Sequence, residues 1–495
     1  MSVTTSDASV PPDISPKPRN RWLALAVIAV SQLLIVLDAT IVNIALPTAQ
    51  AELNISDADR QWMITAYTLA FGGLLLLGGR IADFTGRKRA FIIGLLGFAA
   101  ASALGGLATN AETLFAARAL QGAFGALMAP AALSLLTVTF TEAKERARAF
   151  GVYGAIAGGG GAVGLLLGGV LTEYASWRWT LLVSAPIAIV AALAAVRFVG
   201  ESRAEGNTRY DLPGALTSTI GLVALVYGFT KASEDGWSSA TTIGWLIAAV
   251  VLLVAFVVVE LRSSHPLLPM RVLLDRNRGG AFLASLLIGS GLFGMFLFLT
   301  FYMQLTLGYS ALMSGVAFLP FTFGIIAGAG VSAQLQTRLG PRVLMFGGLL
   351  LATVGMVMLT QIGVDTSFWT HVLPAELVLS LGMGITFGPM SSTALVGVAD
   401  HDAGVASALI NTTQQIGGSL GTALLNTIFT SAVAGYIADH QASARPDLQS
   451  VATVHGYTIA FWVSAALIGL AALIAVVLVR AKRDELSTTG VPVGV

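Results

Sequence analysis

Long apolar runs separated by short polar connections dominate this chain. Stretches of about 20 residues nearly free of charge recur fourteen times, each long enough to cross a hydrocarbon core about 30 Å thick. Their approximate limits are 22–47, 62–81, 90–109, 111–139, 147–171, 179–199, 213–232, 242–262, 280–305, 312–334, 343–362, 373–397, 404–431 and 457–480. The runs lack the alternation of a membrane barrel strand, and helices satisfy their own backbone hydrogen bonds in lipid. The pattern therefore predicts fourteen spanning helices, numbered here as spans 1 to 14. The polar, Pro/Ser/Asp-rich start leads into an apolar run of about 25 residues, too long for a signal-peptide core. An uncleaved tail before span 1 is expected, with a second polar tail after residue 483.

Composition narrows the class. Of 495 residues 55% are hydrophobic and 11% charged, against about 25% charged in soluble domains, which excludes a soluble multidomain enzyme. A net charge of +1 implies no attraction to nucleic acid or to an acidic partner. The positions of the charges say more. Arg87, Lys88, Arg89, Lys144, Arg146, Arg148, Arg276, Arg278, Arg338 and Arg342 fall on the N-terminal tail's side, whereas the other side holds only Arg60, Arg178, Lys231 and Arg445. By this bias both termini of a multi-pass membrane protein are expected in the cytoplasm. Trp62, Trp177, Trp179, Trp237, Trp245, Trp369 and Trp462 fall near outer span ends, as an interfacial belt would place them.

No cysteine and five scattered histidines leave no disulfide, thiolate or evident metal site. No phosphate-cradling G-x-x-x-x-G-K-[ST] sequence occurs. Neither cofactor nor nucleotide is expected, and an ion gradient is left as the energy source.

Aligned against itself, the chain shows a weak register of 253 residues, matching Gly151 to Gly404, Gly164 to Gly417 and Gly168 to Gly421. One residue more places Gly86 over Gly340 and Lys88 over Arg342. The expected plan is a tail (1–21), a six-helix bundle (22–199), a linker carrying two extra spans (200–279), a second six-helix bundle (280–480) and a tail (481–495). The segment 437–455 is expected to be the longest external loop, a mobile one.

Within the apolar runs, Asp38 reads as the only acidic residue deep in a span, and Arg118 as the only basic one. A carboxylate at mid-helix costs about 2.5–3.5 kcal/mol, so its default reading is functional; a fixed ion pair is the bland alternative. At 1.5 Å per residue Asp38 lies about 13 Å and Arg118 about 10 Å from the outer ends of their helices, a compatible depth. Burial favours the neutral acid and a nearby guanidinium the anion, so altered access or substrate charge can switch Asp38. A cationic substrate would compete with the proton for that one negative site.

The sequence following span 2, Gly-Gly-Arg-Ile-Ala-Asp-Phe-Thr-Gly-Arg-Lys-Arg (78–89), resembles the G-x-L-A-D-x-x-G-R-K signature of the major facilitator superfamily. Gly79 and Gly86 suit close approach and a tight turn, and Asp83 can accept hydrogen bonds from a helix N-terminus and pair with a nearby Arg, a charge latch between helix ends. In span 5, Gly154, Gly158, Gly160, Gly164 and Gly168 make a close-packing face, with helix packing alone as the bland reading. That stretch resembles the antiporter motif of exporting facilitators, except that Leu165 stands where the motif has Pro, which removes a kink. Residues 22–480 as a whole resemble the fourteen-helix drug:proton antiporters, the EmrB/QacA-like branch.

The resemblance implies an all-helical membrane protein of two six-helix bundles plus two inserted helices, working as a monomer. It implies export of lipophilic, often cationic, drugs in exchange for protons, with Asp38 and Arg118 coupling and Gly79, Asp83, Gly86 and Arg87 forming a cytoplasmic gate. Asn43, Tyr67, Gln121, Tyr302, Asn411 and Gln415 are candidate substrate contacts, although amides in membrane helices more often join helices together. Two rivals stand beside this reading: an exporter of one metabolite or siderophore on the same fold, and a non-transporting membrane sensor.

Overall fold

The computed structural model describes residues 21–203, 211–263, 266, 268, 270–398, 403–440 and 446–481. Among these are fourteen helices long and apolar enough to cross a membrane. Spans 1 to 7 are Arg21–Glu52, Trp62–Thr85, Arg87–Gly106, Ala111–Thr139, Arg148–Tyr174, Trp179–Phe198 and Leu212–Asp235. Spans 8 to 14 are Ala240–Arg262, Arg276–Thr306, Ala311–Gln336, Arg338–Leu359, Phe368–Leu395, Val405–His440 and Leu448–Leu478.

Packing repeats between the halves. Span 1 packs on span 5 as span 9 packs on span 13, and spans 2 and 3 on span 4 as spans 10 and 11 on span 12. The glycines set in register by sequence make the matching contacts. A β-carbon at Gly168 would stand 2.7 Å from Ile41 O of span 1, and one at Gly421 would overlap the Ser290 backbone of span 9. Gly86 and Gly340 both turn the chain at positive φ, +113° and +75°. Just beyond these turns, Lys88 Nζ donates to Val196 O and Arg342 Nε to Val476 O, equivalent ties to the final helix of each bundle.

Across the seam, span 2 meets span 13 and span 5 meets span 10. These contacts exchange under a two-fold axis relating the bundles, as parallel repeats require. Cross-bundle hydrogen bonds cluster at the end away from residues 21 and 481, here the far end. Thr68 pairs with Ser419 (2.6 Å), Arg60 with Asn426 (3.0 Å), Gln304 with Ile44 O (2.9 Å) and Leu312 N with Glu173 (2.9 Å). Span 7 lies over the seam, its Thr230 accepting from Gln61 and its Phe229 carbonyl from Thr427. Span 8 packs chiefly on span 7, and its remaining surface is largely uncovered.

Several boundaries differ from expectation. Span 13 runs to His440 and span 14 begins at Leu448, so much of 437–455 is helix, with the Tyr436 ring stacked on His440 at 4.1 Å and tilted against His455 at 4.9 Å. Polar Ala-rich sequence fell below the hydropathy of a span yet retains helix propensity. The earlier start leaves Trp462 about 21 Å along its helix, well inside the span. Trp177 is buried, donating to Glu52 at 2.6 Å, and so leaves the aromatic belt.

Candidate functional site

Asp38 and Arg118 meet, both enclosed at 0% and 2% exposure. Arg118 Nη1 donates to Asp38 Oδ2 at 2.7 Å and to Gln121 Oε1 at 2.9 Å, while Gln121 Nε2 donates to Asp38 Oδ1 at 3.0 Å. The three side chains close a ring. Gln121 Nε2 also reaches Ser102 Oγ (2.8 Å) and Arg118 Nε reaches Met63 O (2.9 Å), so spans 1, 2, 3 and 4 converge here. Helical geometry explains the local half: Arg118 and Gln121, three residues apart on span 4, share one face. The Tyr67 ring lies under the guanidinium, 4.6 Å from its carbon, and its hydroxyl is buried without a partner. Each Asp38 oxygen thus accepts one hydrogen bond, which an anion uses fully and a neutral acid only in part. Protonation weakens the hold of span 1 on span 4 but leaves Arg118 its bonds to Gln121 and Met63.

The glycine face of span 5 rests against the helix that carries Asp38. Gly160 faces Val36 (3.2 Å to an added β-carbon), and Gly164 abuts Thr40, with Leu37 O at 3.2 Å. Gly154 has nothing within 4 Å, and the surroundings of Gly158 lie outside the described residues. The packing seam is therefore the Gly160–Gly168 part of the motif.

The 78–89 signature forms a cluster at the terminal end. Arg87 pairs with Asp83 at 2.8 Å across the Gly86 turn. The expectation that Asp83 caps a helix N-terminus is corrected: Arg87 N donates to Ser202 O at 2.9 Å and Lys88 N to Glu201 Oε1 at 3.1 Å. The turn at positive φ aims these amides at the 199–203 segment, and among the described residues Asp83 pairs with Arg87. Close approach belongs to Gly78, where a β-carbon would overlap the Ala126 backbone, while Gly79 makes ordinary contact with Pro130 at 3.4 Å. One residue turns a helix by about 100°, enough to move a neighbour off the contact line.

Of the substrate candidates, Tyr67 and Gln121 meet at the Arg118 guanidinium. Gln121 spends its amide within the ring, and Tyr302 binds Gly363 O (2.9 Å) and Thr366 (2.7 Å) in the C-terminal bundle. Asn43 donates to Ala39 O at 2.9 Å, with its Oδ1 unpartnered. Gln415 faces span 2 at Gly72 with a buried, unpartnered Oε1, and Asn411 is exposed.

Three charges escaped sequence reasoning. Glu376 is fully buried with neither carboxyl oxygen partnered, so Asp38 is not the only deep acid. A π-helical turn, Phe368–Val372, extends span 12 backwards and carries Glu376 about 12 Å from its start. Glu260 is also buried, accepting from Leu268 N at 3.0 Å. Arg60, expected in an external connection, is 2% exposed among aromatic rings.

Two bundles of matching topology, joined at one end, with a buried ion pair inside the first of them, define a polytopic membrane carrier. The Major Facilitator Superfamily profile matches residues 28–422. The chain belongs to that superfamily, and it is a transporter, not an enzyme. It is 51% identical over 478 residues to the puromycin resistance protein pur8 of Streptomyces alboniger, covering 96% of this chain and 94% of that one. It is 40% identical over 416 residues to the cephamycin export protein CmcT of Amycolatopsis lactamdurans, covering 83% of this chain and 86% of that one. A solved bacterial homologue of the human lysosomal transporter Spinster shares the fold, with TM-score 0.64, 16% identity and coverage of 95% and 98% of the two chains.

Proposed function

We propose that this protein exports lipophilic, often cationic, antibiotics or drugs across the bacterial cytoplasmic membrane in exchange for protons, by alternating access between its two bundles. The resistance and export proteins among its relatives support the substrate class. The observation that carries the coupling is the enclosed Asp38–Arg118–Gln121 ring, whose carboxylate ties span 1 to span 4 through both oxygens and does so fully only while ionised. A proton from outside neutralises Asp38 and loosens the ring. A cationic drug arriving from the cytoplasm favours the anion again, and the proton leaves inward. Substrate and proton thus exclude each other from one negative charge.

With the termini cytoplasmic, the far end is the outer one. The cross-bundle bonds there then hold a conformation open toward the cytoplasm, in which Asp83, Gly86 and Arg87 stay within the N-terminal bundle. On opening outward the same cluster faces the other bundle and serves as the inner gate.

The test uses proteoliposomes loaded with a pH-sensitive dye, an imposed proton gradient, and a panel of lipophilic cations and neutral antibiotics. Drug-dependent proton movement that Asp38→Asn abolishes is expected. Asp38→Asn retaining gradient-driven export would overturn the proton-site assignment. Movement with a single compound would favour a narrow exporter, as the name of the cephamycin relative suggests; silence across the panel from folded protein would count against drug export.

A further inference from the structure

Arg60 ends the short connection between spans 1 and 2, yet it lies inside the other bundle. Its guanidinium carbon stands 4.5 Å from the Phe301 ring centre, 4.6 Å from Phe429 and 5.7 Å from Phe298. Tyr457 stacks on Phe429 at 5.1 Å and closes the box, which spans 9, 13 and 14 supply in full. Polar partners are few. Nε donates to Asn426 Oδ1 at 3.0 Å, and one Nη has no partner. Among the described residues the one carboxylate in reach, Asp57, is 3.5 Å away with its side chain 63% exposed. The buried Tyr457 hydroxyl is unpartnered as well. Ring faces, more than an ion pair, hold this charge, and ring faces take any cation of similar size whose hydration is weak.

The box and its occupant ride on different bundles. Asn426 Nδ2 bonds to Asp57 O at 2.7 Å and Ala58 O at 3.3 Å, so the whole 57–60 connection docks on the C-terminal bundle only while the far end is shut. Parting the bundles there draws Arg60 out and leaves three aromatic faces, an amide oxygen and a phenol beside the opened passage. We propose that this box is a second organic-cation site, plugged by Arg60 while the far end is closed and open to a lipophilic ammonium or phosphonium when the bundles separate. The inference rests on the alternating-access reading above. It places the site in the C-terminal bundle, whereas Asp38 belongs to the N-terminal one. Arg60 then displaces the departing cation as the far end recloses.

The experiment measures equilibrium binding of tetramethylphosphonium, a weakly hydrated cation near the guanidinium in size, to the purified full chain in nanodiscs, without a proton gradient. Arg60→Gln empties the box and is expected to tighten binding at least tenfold, whereas Arg60→Lys stays near wild type. Adding Phe301→Leu and Phe429→Leu to Arg60→Gln should abolish the gain, and adding Asp38→Asn should leave it. No gain in folded Arg60→Gln overturns the proposal. So does a gain that survives loss of the two rings, because unlocking the far end would then have exposed some other site. Should Arg60→Gln not fold, Phe301→Leu alone decides: it should raise KM for export of the phosphonium several-fold and spare an uncharged substrate, and equal effects on both refute the site. Failure of Asp38→Asn to abolish proton coupling would refute the proton-site assignment and leave this binding result standing.

Discussion

Replacing Gly164 with Ala tests the seam between spans 1 and 5 beside Asp38. An added β-carbon would fall inside the Thr40 hydroxyl and stand 3.1 Å from Thr40 Cβ and 3.2 Å from Leu37 O, where ordinary contact begins at 3.4 Å. Rotating Thr40 clears the hydroxyl but forfeits its hydrogen bonds to Val36 O (2.9 Å) and Leu37 O (3.1 Å). The Leu37 carbonyl belongs to the helix backbone and cannot rotate away, so the two spans must part by a few tenths of an ångström. Overpacking of this kind costs about 1–3 kcal/mol. Applied to a conformational equilibrium that needs the closed seam, that is about 5- to 150-fold. Thermal unfolding of the solubilised protein and dye efflux from cells should both show the loss. Thr40→Ala in the same chain removes the hydroxyl but leaves the Leu37 carbonyl and the β-carbon of residue 40 in place, so it should recover part of the loss, a coupling of about 0.5 kcal/mol or more. Gly154→Ala, facing open space, should match wild type. The reasoning fails if Gly164→Ala is as stable and active as wild type, or if Thr40→Ala brings no recovery.

Other consequences are open to the same measurements. Arg118→Leu strands a buried carboxylate and should destabilise by about 3–5 kcal/mol, whereas Asp38→Asn combined with Arg118→Leu should lose less; equal losses would place the effect in packing. Glu376→Gln should hold or raise the unfolding temperature, since neither oxygen has a partner to lose, and a clear drop would reveal a partner. Gly86→Ala forces φ of +113° on a residue whose new β-carbon would stand 2.8 Å from the Glu201 carboxylate. A cost of about 1–3 kcal/mol is expected; Glu201→Ala in that background relieves the clash but not the strain, so recovery should be partial.

The number of spans and the meeting of Asp38 with Arg118 were legible because each depends on local quantities. Hydropathy adds up along a run, and 1.5 Å per residue converts position into depth. Depth alone brought Asp38 and Arg118 to one level, and the expense of lone charges in hydrocarbon made their meeting the favoured outcome. The matched glycines of spans 5 and 13 likewise announced matched contacts, since only a missing side chain admits a backbone at that distance.

Elsewhere the sequence was silent for a physical reason. That Gly78 and not Gly79 carries the close contact, that Glu201 and not Asp83 receives the amides of span 3, and that Glu376 lies deep all depend on helix rotation, a turn angle or a π-helical extension. These follow from what packs alongside, not from residue type. Arg60 is the clearest case: beside Asp57 and Asp59 in a polar connection it reads as a solvated charge, and only the docking of one bundle against the other encloses it. The chain's own letters determined a membrane carrier of fourteen helices with one buried ion pair. Tertiary structure alone decided which end is shut and which aromatic rings hold the guanidinium there, because both arise from contacts between residues more than 130 positions apart.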